Sequence, residues 1–190
     1  MQIEEHKHTI LFYILGGVIL ITSFFLDHAL VDIMGEIENA AVTYVIEWTS
    51  YALIFAFVLL ILTSLFMWED KKRDWIIPTW FTFLTALLVT FILKIIVVRE
   101  RPEEIIGLIH QYSFPCSIMA ICFSTAALID HLYPSLKWLW IIFASVVALS
   151  SLYLQLSFLS DIIAGALIGY SLGLGMLHIK KKYNLFGASI

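Results

Sequence analysis

Lys94 follows an apolar run, 77–93, and lies seven residues before Arg101-Pro102. An ammonium group is costly beside hydrocarbon, so a lysine in that place marks a candidate functional site. The chemistry such a pair suits is anion binding. A phosphate spreads its charge over several oxygens, and holding one near lipid calls for a point-charge ammonium, a forked guanidinium and hydroxyl or backbone donors together. Lys94 and Arg101 are the cations of such a site, and Ser117 and Ser150 are candidate hydroxyl donors. Pro102 disfavours helical geometry at Arg101, so the span is expected to end about there and release the arginine into a loop. Pro115 can open the next helix, with free N–H groups near Cys116 and Ser117 directed at the anion. The spacing also fits a plainer arrangement, in which Lys94 snorkels to the interface and Arg99 and Arg101 are loop charges among headgroups.

The elements that must position these groups are membrane spans. The chain of 190 residues is 61% hydrophobic and 14% charged, and its mean hydropathy is +0.94. That is far more apolar side chain than one water-soluble core needs. A spanning helix takes about 20 apolar residues, and the candidate runs are 9–26, 48–68, 75–98, 114–129, 138–156 and 162–179. They predict an all-α, polytopic membrane protein with six transmembrane helices, a single domain over 1–190 with short termini at 1–8 and 180–190. Glu4 and Glu5 stand where a secretory signal would be basic, so the first run is read as a retained helix.

If the helices alternate, Lys7, Lys71-Lys72-Arg73, Lys137 and Lys180 to Lys182 share one side, and Lys94, Arg99 and Arg101 the other. The excess of cations makes the first side cytoplasmic, which puts both termini inside and the anion site on the extracytoplasmic face. Between the first two spans, 27–47 is acidic and carries Leu30, Ile33, Met34, Ile37, Ala41 and Val45 at helical spacing. That pattern predicts an amphipathic outer segment lying over the site. Gly165, Gly169 and Gly173 share one face of the last span, where small residues let another helix approach closely. The expected neighbour is within the bundle, and a homodimer seam is the alternative. The Lys180-Lys181-Lys182 tail suits membrane lipids of negative charge and not nucleic acid.

Lys94, Arg101-Pro102, Tyr112-Ser113-Phe114-Pro115, Ser150, Tyr153 and Ser160-Asp161-Ile162-Ile163-Ala164-Gly165, in that order, resemble the type 2 phosphatidic acid phosphatase superfamily. It includes lipid phosphate phosphatases, bacterial polyprenyl diphosphate phosphatases and vanadium haloperoxidases. The resemblance implies six spans, with the first motif after the third span, the second opening the fourth, and the third between the fifth and sixth. The three motifs read Lys-x6-Arg-Pro, Pro-Ser-Gly-His and Ser-Arg-x5-His-x3-Asp. The first is complete here. The second keeps Pro115 and has Cys116-Ser117-Ile118 in place of Ser-Gly-His; the third keeps Ser150 and Asp161 but has Ser151 for the arginine and Ser157 for the histidine.

These departures bear on catalysis. In that superfamily one histidine attacks phosphorus, an aspartate orients it, and the other histidine protonates the leaving oxygen. The resemblance puts Ser157 at the nucleophile, Ile118 at the acid and Asp161 at the orienting position. An unassisted serine hydroxyl is a weak nucleophile, and isoleucine transfers no proton. Asp161 also stands where it can cap the last span. The expectation is a degenerate member that binds a lipid or polyprenyl phosphate headgroup at its outer face without turning it over.

Two other readings stay open from the sequence. One is an active phosphatase with relocated groups, in which His28 or His110 serves as the acid or base. The other is a structural or interaction module whose phosphate affinity is vestigial. Cys116 reads as a small buried hydrophobe, and Cys116 and Cys122 lack metal-ligand spacing. His6 and His8 lie on the side away from the anion site, in a polar terminus. No metal and no cofactor is expected.

Overall fold

Long apolar runs satisfy their backbone within themselves, and in lipid they do so as helices. The computed structural model describes residues 2–37, 39–46, 51–102 and 112–183. Among these it has seven helices: α1 (Gln2–Ile37), α2 (Ala40–Ile46), α3 (Ala52–Glu69), α4 (Ile76–Val97), α5 (Ser117–Asp130), α6 (Leu136–Tyr153) and α7 (Leu159–Tyr183). Five stretches are long and apolar enough to cross a membrane: Tyr13–Ile37, Ala52–Glu69, Arg73–Val97, Leu136–Tyr153 and Leu159–Lys182. Their outward faces carry large exposed apolar side chains such as Phe25, Phe55, Leu84 and Leu149, as a bilayer requires.

The remaining predicted span is α5, and it differs from the others. Its 14 residues rise only about 21 Å at about 1.5 Å each, short of a hydrocarbon core of about 30 Å. It is also the buried centre of the bundle, with Met119 to Cys122 and Ser124 to Ile129 all buried. A helix covered by protein on most sides need not match the bilayer. Its small residues instead let neighbours come close.

α7 makes the closest approach. A methyl group built on Gly165, Gly169 or Gly173 would overlap the backbone carbonyls of Cys116, Ala120 and Ser124, one turn apart along α5. The glycine face is therefore filled from within the same chain, which corrects the homodimer seam offered as an alternative. α4 meets α5 with Thr79, Thr82, Ala86 and Thr90, all buried. Each threonine hydroxyl donates to a carbonyl one turn back, to Trp75 at 2.7 Å, Pro78 at 2.8 Å and Ala86 at 2.9 Å. Polar side chains are thereby carried into the bundle with their donors satisfied.

α1 departs from the sequence expectation in length. The segment predicted to leave the first span at Asp27 instead continues α1 to Ile37, and α2 follows. No proline interrupts the helix there, and Asp27, which would otherwise end an apolar span, is buried against charged partners. At the opposite end of the bundle, Lys180 Nζ lies 3.8 Å from the Trp75 ring centroid and donates to the Asp74 carbonyl at 2.5 Å. Lys72 Nζ donates to the Leu132 carbonyl at 3.1 Å. The basic cluster there is tied to the two short turns that join α3 to α4 and α5 to α6.

Candidate functional site

α4 ends earlier than Pro102 requires. Val98 adopts a left-handed conformation, φ 50° and ψ 40°, and its N–H closes the last turn on the Lys94 carbonyl. Beyond it the chain runs extended beside the segment that precedes α5. Glu100 pairs with Tyr112 in a single antiparallel bridge, and the Ser113 N–H donates to the Arg99 carbonyl at 2.8 Å. Lys94 Nζ closes this clasp from below, donating to the Tyr112 and Ser113 carbonyls at 2.8 and 2.9 Å. The lysine thus turns into the protein and does not snorkel outward.

Arg101 turns in beside it, donating from its guanidinium to the Leu156 carbonyl. Burial pushes its pKa down from the usual arginine value, and an arginine remains a cation through any such shift. Both cations line one cavity of about 280 Å³, together with Ser117, Ile118, Ser151 and Ser157. The rest of the wall is apolar, from Leu53, Leu87, Phe91 and Val147. Leu53 and Phe91 are also exposed on the outside of the bundle, so the cavity is bounded by side chains that reach its lipid-facing surface between α3 and α4.

Two predicted site residues stand elsewhere. Ser150 does not line the cavity; its hydroxyl donates to the Val146 carbonyl of its own helix at 2.8 Å. Asp161 is buried behind the cavity in the first turn of α7. One carboxylate oxygen accepts the Phe158 N–H at 2.9 Å, just ahead of the helix, and the other accepts from Arg99 at 2.8 Å. The capping role holds, and neither oxygen is directed to Ser157. The Cys116 N–H, expected to face an anion, donates instead to the Asp161 carbonyl at 2.9 Å.

Arg99, read from the sequence as a loop charge, is the centre of a buried network. Its guanidinium donates to Asp161 Oδ1 at 2.8 Å, to Asp27 Oδ2 at 2.7 Å and to Ser160 Oγ at 2.6 Å. Asp27 also accepts the Ser160 N–H at 3.0 Å and its hydroxyl at 2.5 Å. The guanidinium lies 4.0 Å from the Phe158 ring centroid, a cation–π contact. The sequence held one signal for this role: two carboxylates at the ends of apolar spans need a cation between them.

His28 is exposed, with its ring edge-on to Phe158 at 5.9 Å, and is not among the cavity's lining residues. His110 lies outside the described residues. Among the described residues no group of three or more His, Cys, Asp or Glu is arranged to hold a metal.

The sequence matches the PAP2 superfamily over residues 75–185, from the turn before α4 to beyond the end of α7. The chain belongs to the PAP2 superfamily. That stretch contains every motif residue on which the sequence resemblance rested, from Lys94 to Asp161. The PAP2 fold extends further than the sequence match. A crystal structure described as the first transmembrane PAP2 type phosphatidylglycerolphosphate phosphatase from Bacillus subtilis is similar with a TM-score of 0.68 at 20% identity, over 94% of this chain and 96% of that one. No curated protein matches the sequence. The protein is therefore a multi-pass membrane protein of PAP2 fold.

Proposed function

We propose that this PAP2 protein binds the phosphate headgroup of a lipid or polyprenyl phosphate in the cavity below the Lys94 clasp and does not hydrolyse it. One observation carries the reading: Lys94 and Arg101 line the same cavity as Ile118 and Ser157, the residues that the motif resemblance sets against the family's two histidines. A phosphate there meets an ammonium and a guanidinium, the two strongest donors a protein offers it. At the positions that the resemblance gives to the two histidines it meets neither an imidazole nor an activated nucleophile, since isoleucine transfers no proton and serine needs an adjacent base. Asp161, the one family catalytic residue that persists, has its oxygens taken by Arg99 and Phe158. The apolar wall from Leu53 to Phe91 suits the first carbons of a lipid tail entering from the bilayer. By the distribution of basic residues the site faces the extracytoplasmic side, with both termini cytoplasmic.

Phosphate release in detergent from phosphatidate, isoprenoid phosphates and phosphatidylglycerolphosphate is the test. The expected rate is that of a protein-free blank, while a lipid phosphate binds and loses about tenfold or more in affinity with Lys94→Ala or Arg101→Ala, the effect of a lost charge-assisted hydrogen bond. Robust turnover abolished by either substitution overturns the proposal.

A further inference from the structure

Two serines in the cavity, set by the motif resemblance against an arginine and a histidine, have no partner among the described residues. Ser151 and Ser157 are 9% and 5% exposed and line the cavity, yet among the described residues neither hydroxyl has a hydrogen-bond partner. Their neighbours behave otherwise. Ser150, Ser124, Thr125 and Thr90 each donate to a carbonyl one turn back at 2.8 or 2.9 Å. Both residues line the cavity that Lys94 and Arg101 also line, and a hydroxyl there is free to donate to a group bound in it. They are donors awaiting an acceptor.

The charge of the surroundings indicates which acceptor. The Asp27 and Asp161 carboxylates are held by Arg99, the Ser160 N–H and hydroxyl, the Phe158 N–H and the Ser113 side chain. Taken at their formal charges, the two carboxylates carry two negative charges. Arg99 offsets one of them. With Lys94 and Arg101 added, the buried cluster carries one net positive charge among the described residues, because Asp32, Glu36 and Glu100 are exposed to solvent screening. Near lipid, a site is most favourably filled by the charge that neutralises it. A phosphodiester is singly charged; a phosphomonoester carries close to two charges above its second pKa of about 6.

We propose that the cavity is a phosphodiester site, taking the headgroup phosphate of an intact phospholipid in preference to a phosphomonoester, with Ser151 and Ser157 donating to its oxygens beside Lys94 and Arg101. This rests on the anion-site reading above and narrows its ligand. Replacement of a guanidinium and an imidazole by two hydroxyls keeps hydrogen-bond donors in place while lowering the positive charge. That is a change of ligand charge and not a loss of the site.

Dioctanoyl phosphatidylmethanol and dioctanoyl phosphatidate differ by one methyl group and, at about pH 8, by about one charge. Their binding to the full-length protein in maltoside micelles, read by native mass spectrometry, tests the preference directly. The diester is expected to bind about tenfold more tightly. Ser151→Ala with Ser157→Ala should lower diester affinity by about a hundredfold or more for two hydrogen bonds to a charged acceptor, with the unfolding temperature confirming the fold. Ser151→Arg should reverse the order in favour of phosphatidate. Equal or tighter binding of phosphatidate by the unaltered protein, lost with Lys94→Ala, overturns the diester preference and leaves the anion site standing. Diester binding unchanged by the paired serine substitution overturns the serine assignment. Binding of both lipids that ignores Lys94→Ala overturns the anion site itself.

Discussion

Arg99→Ala is the sharpest perturbation of the fold that the structure offers. The side chains of Asp27 and Asp161 are 0% exposed, and the Arg99 guanidinium reaches them at 2.7 and 2.8 Å. Removing one partner of a buried ion pair costs about 3–5 kcal/mol, because the charge left behind is uncompensated. Here two carboxylates are left, so the upper end, about 5 kcal/mol, is expected. For a chain of this size about 1 kcal/mol moves Tm by about 2–4 °C, so the loss corresponds to about 10–20 °C. Tryptophan fluorescence of the detergent-purified protein during heating measures it. Adding Asp27→Asn and Asp161→Asn to Arg99→Ala should recover most of the fall, since the amides keep acceptors while removing the stranded charge. Arg101→Ala provides the contrast, because the guanidinium's contact with the Leu156 carbonyl is worth about 1 kcal/mol of stability. An Arg99→Ala protein that melts within about 2 °C of the parent, a shift worth only about 1 kcal/mol, refutes the reasoning; so does one that the two asparagines fail to rescue.

The glycine face allows a comparison within one helix. Gly169→Leu should destabilise the bundle severely by forcing α7 away from the Ala120 backbone, whereas Gly175→Ala, which meets open space, should be neutral or raise stability by up to about 1 kcal/mol through helix propensity; size-exclusion chromatography should show no change of assembly specific to the glycine face. At the other end of the bundle, the Tyr133 hydroxyl donates to Asp70 Oδ2 at 2.7 Å and holds that carboxyl below its ordinary value. A depressed folded-state pKa makes the contact stabilising above the usual carboxylate range, and this is lost as pH falls through the folded value. Tyr133→Phe should return Asp70 toward ordinary titration, read by NMR of a side-chain-labelled sample.

What could be read in the sequence divides along a physical line. Lys94 and Arg101 stood out because charge beside an apolar run is conspicuous wherever the chain goes, and their cavity brings them together. Ser150 and Ser151 show the limit. One residue step turns about 100° around a helix, and only the positions of α4 and α5 decide that Ser151 faces the cavity while Ser150 bonds its own backbone. The role of Arg99 depends on partners 72 and 62 residues away, which no local pattern records. The glycine spacing on α7 predicted close packing, but the short, buried α5 that receives it is, in sequence, another apolar run. Likewise nothing local told α1 to continue past Asp27, because the residue that makes this tolerable lies after α4.

The Arg99 network also constrains how the protein can be made. Its members come from α1, from the segment after α4 and from the start of α7, so a chain emerging from the ribosome carries Asp27 into the membrane long before its partners exist. Until Arg99 arrives, α1 holds an unpaired carboxylate at the boundary of an apolar span, where charge resists burial. The N-terminal helix therefore gains the charge partner that lets Asp27 stay buried only after α4 has been made. Chains that end before Arg99 are expected to leave that carboxylate unpaired, whereas chains that end between Arg99 and α7 keep its cation.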